Sequence, residues 1–175
     1  VTSAAGDRRP MTRAPAPLAP RLRWGPSLSR SAVLHGAWWP RSTDPIEELP
    51  GLILAIDDRR GGPVTCIMLG LSGWDARPPR LRVAGRLIRL GWFTTQPSNL
   101  LTASWDNRYN IELLVVPSAT NVPLAEAAMA LAADAANTVP APDILTTAAG
   151  QAAQAEMAAE DPSAISQEMI RPLSR

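Results

Sequence analysis

Lysine is absent from these 175 residues: all 17 basic side chains are Arg. Histidine, cysteine, phenylalanine and tyrosine occur once each. The single Cys66 excludes an intrachain disulfide and any multi-cysteine zinc site. The single His35 obliges any Ser-His-Asp or Cys-His mechanism to use that one imidazole. No apolar run is long either. The longest, Leu49 to Ile56, is far short of the roughly 20 residues that a membrane-spanning helix requires. Arg8, Arg9 and Arg13 are followed by Pro and Arg rather than by the apolar core of a secretory signal, so a cytoplasmic protein with no membrane partner is expected.

What is present is globular in character. Hydrophobic residues make up 46% and charged residues 19%, which argues against wholesale disorder, a coiled coil or a collagen-like fibre. The 29 Ala and the exclusive use of Arg read as the codon bias of a GC-rich genome rather than as chemistry. The net charge of +1 is unevenly spread: residues 1–108 hold 15 Arg against 8 acids, and residues 109–175 hold 2 Arg against 8 acids. Two readings of that asymmetry stand, attraction between the two halves and a basic face for an anionic partner.

Residues 1–19 carry almost no large apolar side chain and read as a disordered leader. A single domain is expected over 20–138, followed by an Ala-rich, acidic and mostly disordered tail over 139–175, where Ala148 to Glu160 has helix propensity but little to pack. Within the domain, Arg21 to Trp24 and Ser31 to Trp39 read as the first two strands. Asp44-Pro45-Ile46-Glu47 then forms a capping box with Pro at the first helical position. The helix it opens would bury Ile46, Leu49, Ile53 and Ile56, kink or restart at Pro50, and stop at Gly61-Gly62-Pro63. Pro63 to Leu69 is a third strand. Two hairpins follow, Arg80 to Trp92 turning at Ala84-Gly85 and Leu100 to Val116 turning at Asp106-Asn107. Asn121, Pro123 and Glu126 open a second helix with a stripe of Leu124, Ala128, Leu131 and Ala135. The order and the alternating strands predict an α+β fold: an antiparallel sheet of about six to seven strands with two helices on one side and flexible termini.

Gly36-Ala37-Trp38-Trp39-Pro40-Arg41-Ser42, followed by Glu48-Leu49-Pro50, resembles a family of small uncharacterised actinobacterial proteins. Trp74-Asp75, the Arg80 to Arg86 hairpin ahead of Gly91 and Phe93, and Leu114-Val115-Val116-Pro117 extend the likeness over roughly residues 21 to 136. The resemblance implies a domain of unknown function and supplies no reaction. Members of that family more often carry an acid at the position of His35.

No catalytic constellation is legible. Gly70-Leu71-Ser72-Gly73 lacks the spacing of a nucleophile elbow, and Cys66 sits in an apolar strand as a buried, inert thiol. Asp57-Asp58, the only tight acid pair, is expected to face solvent near a helix end, so no metal, cofactor or catalytic residue is assigned.

The binding signals are the Arg cluster from Arg77 to Arg89 and the tandem indoles. Alternation puts Arg80 and Arg82 opposite Leu81 and Val83. Trp38 and Trp39 face opposite ways, so Trp39 leaves the helix-packed face, either covered by sheet curvature or flooring a site beside Arg41. Trp39, Arg41, Arg80 and Arg82 are therefore the candidate binding residues. They fit a small non-enzymatic module for a protein or small anionic ligand, the alternative being a nucleic-acid-associated protein with an Arg-rich hairpin.

Overall fold

A computed structural model describes residues 17–105 and 109–160. The elements run β1 (Leu22–Trp24), β2 (Gly36–Trp38), α1 (Pro45–Arg60), β3 (Cys66–Gly70), β4 (Arg80–Val83), β5 (Arg86–Phe93), β6 (Leu100–Ser104), β7 (Asn110–Val115), α2 (Val122–Ala132) and α3 (Ala141–Glu160). The strands form one seven-stranded sheet in the order β1-β2-β7-β6-β3-β5-β4.

The sheet is mixed, which corrects the antiparallel expectation. The β4–β5 and β6–β7 pairs are antiparallel as read, but β2 pairs with β7 and β3 with β5 in parallel. Alternating burial was misleading because it reports how the two faces are covered, not strand direction. The β4–β5 hairpin turns through Ala84 (φ 46°) and Gly85 (φ 80°), two positive values that suit the right-handed twist of the flanking strands. The turn expected at Asp106-Asn107 lies outside the described residues. The second strand is shorter than the stretch from Ser31 suggested, since only Gly36–Trp38 pairs as β2.

α1 begins as its sequence dictates: the Asp44 carboxylate accepts from the Ile46 N–H at 2.8 Å and Pro45 opens the first turn. The second half of the expected capping box falls to a different residue. Glu48, not Glu47, reaches back, its Oε1 accepting from the amides of Arg41 and Ser42. α1 continues through Pro50 as one helix and ends at Gly61 in the left-handed conformation. Its buried stripe is Leu49, Leu52, Ile53 and Ile56, whereas Ile46 is exposed, a shift by one turn toward the positions spaced 3, 4 and 7 from Leu49.

Helices cover both faces of the sheet, and among the described residues there are three, which corrects the expectation of two on one side. α1 closes one face over Trp38, Ile67, Leu69, Ile88, Leu101 and Leu113. α2 and α3 close the other over Trp39, Leu114 and Val116. The buried stripe of α2 is Ala125, Ala128, Met129 and Ala132, displaced by one residue from the expected one, because the helix lays its small side chains against sheet and α3. α3 forms in the stretch read as a tail, with Ala141, Ile144 and Ala148 buried.

His35 ties this framework together. Its ring is 6% exposed; Nδ1 accepts from the Glu112 N–H at 3.0 Å and Nε2–H donates to the Ser29 carbonyl at 3.0 Å. Replacing His35 with Ala leaves the Glu112 N–H without its partner, while the Ser29 carbonyl keeps the Ala32 N–H, an expected loss of about 1–3 kcal/mol in a urea melt. A change below the measurement error would show that neither bond matters.

Candidate binding face

Past the edge of α2 and α3, the face of the sheet opposite α1 has no helix over it among the described residues. The register aligns its side chains in rows across the strands. Asn110, Ser104, Cys66, Arg89 and Arg80 form one row, and Glu112, Thr102, Met68 and Gly91 the next. Arg82 sits opposite Leu87. Arg80, Arg82 and Arg89 are exposed, as are Leu87 (54%) and Phe93 (44%). The Phe93 ring lies over the bare backbone of Gly91, where a Cβ would sit 2.7 Å from Cε2.

Arg80 and Arg89 are directly opposed on antiparallel strands. Like charges placed this way repel, and among the described residues no carboxylate stands within 4.0 Å of either. Arg82 makes one long bond, at 3.4 Å, to the Gly85 carbonyl. The hairpin's other arginines are spent on structure. Arg86 pairs with Asp57 and bonds the Val64 carbonyl, while Arg77 bonds the Leu71 carbonyl. Asp57 therefore does not face solvent as expected: it also takes the Val64 N–H at 2.6 Å, stapling the end of α1 to the segment ahead of β3 and to β5. Among the described residues no group of three His, Cys, Asp or Glu gathers as a metal site.

Trp39 and Arg41 lie elsewhere. β2 and β4 are five strand positions apart, about 24 Å at ordinary strand spacing. Trp39 shares the sheet face of Arg80 and Arg82, but it is 7% exposed beneath α2 and α3, so the expectation of an indole outside the helix-packed layers is corrected. The Arg21 guanidinium caps it, 3.6 Å from the ring centroid, and donates to the Trp39 and Pro40 carbonyls. Burial, and then the neighbouring Arg41, pull the Arg21 pKa below its ordinary value, with Glu48 acting in the opposite sense. Arg41 donates to the Ala19 carbonyl. Trp38 stacks on Trp74 at 5.7 Å, and Thr43 bonds Asp75, so the stretch from Trp38 to Thr43 works as framework.

The structure thus joins Arg80 and Arg82 to Arg89, which the sequence marked only as the end of the Arg cluster, and to Leu87 and Phe93, which were not among the candidate binding residues. The signal was available: counting outward from the Ala84-Gly85 turn puts Arg89 opposite Arg80. No curated protein and no solved structure matches the chain. A family model does match, over residues 21–132, and the chain belongs to that family, DUF5994, a family of unknown function.

Proposed function

We propose that the chain is a non-enzymatic protein-interaction module whose β4–β5 face receives an acidic surface of a partner protein. The opposed pair Arg80 and Arg89, left without a carboxylate among the described residues, carries this reading. An anionic partner would relieve a repulsion that the fold itself leaves in place. Leu87, Met68 and Phe93 beside the arginines give the mixture of Arg, Met and aromatic residues that is enriched in protein interfaces. Single-stranded nucleic acid is the weaker fit, since it is bound on several stacking rings and this face offers one. A non-enzymatic role is supported by His35, whose two ring nitrogens are both engaged by backbone groups. A cytoplasmic protein of actinobacterial origin belongs to the same reading. No helix among the described residues is long and apolar enough to cross a membrane.

The test is binding to a polyglutamate peptide, with mixed-sequence RNA and DNA in parallel, over rising salt. The variant carrying Arg80→Gln and Arg82→Gln should bind the peptide more weakly, with stability unchanged to within about 0.5 kcal/mol. Tighter binding to nucleic acid, with a salt slope that falls by up to about two units in the variant, would reassign the face. Failure to bind either at low salt would end the proposal.

A further inference from the structure

A second site lies beyond the last turn of α1, beside the start of β7. It is a cleft of about 290 Å³ whose lining includes Arg30, Arg60, Trp105 and Tyr109, with Leu28 and Ile111 as apolar floor. Arg30 comes from the β1–β2 connection, Arg60 ends α1, Trp105 follows β6 and Tyr109 precedes β7. The two guanidinium carbons lie 4.4 Å and 4.7 Å from the centroid of the same Tyr109 ring, and Arg60 is also 5.7 Å from that of Trp105. They are therefore no more than about 9 Å apart.

Among the described residues, neither guanidinium has a carboxylate within 4.0 Å. Cation–π contact orients them without using the in-plane N–H donors, which is the edge that binds phosphate and carboxylate bidentately. The neighbouring Arg59 differs, since it donates to the Gly25 carbonyl. His35 also lines the cleft, but both its nitrogens are engaged. Glu112, the one carboxylate residue of the lining, comes from β7, next to Ile111. The volume lies at the lower limit of ligand pockets, which suits one ring with one anionic group and is too small for a dinucleotide.

We infer that this cleft binds a small aromatic oxyanion, its phosphate or carboxylate held by Arg30 and Arg60 and its ring laid on the apolar floor of Leu28 and Ile111 beside Trp105. This site is independent of the β4–β5 face.

Isothermal titration of the full chain tests it with uridine monophosphate and 4-hydroxybenzoate, and with uridine and phenol as their counterparts lacking the anion. Saturable binding of either anion, at least tenfold tighter than its neutral counterpart, is expected, and the preferred anion tells phosphate ester from carboxylate. Arg30→Gln and Arg60→Gln should each weaken that binding tenfold or more, the scale of a lost charge-assisted hydrogen bond. Arg59→Gln and Arg80→Gln should leave it unchanged. Equal affinity for charged and neutral probes, equal losses in all four variants, or no binding by any probe would each overturn the inference.

Discussion

Replacing Trp38 with Ala is expected to cost about 3–5 kcal/mol in a denaturant melt, the range for deleting a large core aromatic, and replacing Trp39 nearly as much. Trp38 is fully buried and stacks on Trp74 at an interplanar angle of 15°, with Trp92 edge-on beyond it. Trp39 packs on the opposite face against α2 and α3, under the Arg21 guanidinium. The two holes would open in different cores. Phe is the milder change at both positions. The indole Nε1 groups of Trp38 and Trp39 are buried without a hydrogen-bond partner among the described residues, and Phe removes that unpaired donor while keeping a ring. A Trp39→Ala loss below about 1 kcal/mol would show that α2 and α3 do not seal their face.

Local chemistry was the readable part of this fold. Asp44, Pro45 and Gly61 bound α1 because a cap, a fixed φ and a left-handed stop each act within a few residues. The Ala84-Gly85 turn set the β4–β5 register for the same reason, and with it the outward side of Arg80 and Arg82. Strand order was not readable. No turn signal connects Ala37 to Leu114 or Cys66 to Arg89, pairs that decide that the sheet is mixed. Trp39 illustrates the consequence for the site. Alternation correctly separated it from Trp38, yet its burial depends on helices 83 and more residues further along the chain. The cleft is harder still, because Arg30, Arg60 and Tyr109 come from three segments that only the finished sheet brings around one ring.

Ile144→Ala should lower stability by about 2–5 kcal/mol, although it lies in a stretch whose composition reads as a tail and outside the residues matched by the family. Propensity without large apolar residues is a weak case for an isolated helix, but α3 is not isolated. Ala141, Ile144 and Ala148 are spaced by 3 and 4 and line one side of it. They meet the Ala125, Ala128, Met129 and Ala132 side of α2, where small side chains permit close approach of the two backbones. Asn99 adds a polar tie, its Nδ2–H donating to the Ala141 carbonyl. Ile144 is the one large side chain in that seam with no exposed surface, so its removal leaves a cavity that Ala neighbours cannot fill. Further along α3, Met157 is 71% exposed, and Met157→Ala should change stability by no more than about 0.5 kcal/mol. Ending the chain at residue 150 should likewise be tolerated, while ending it at 138 should uncover α2 and lower the melting temperature sharply. Small and equal effects for Ile144→Ala and Met157→Ala would mean that α3 does not dock on α2.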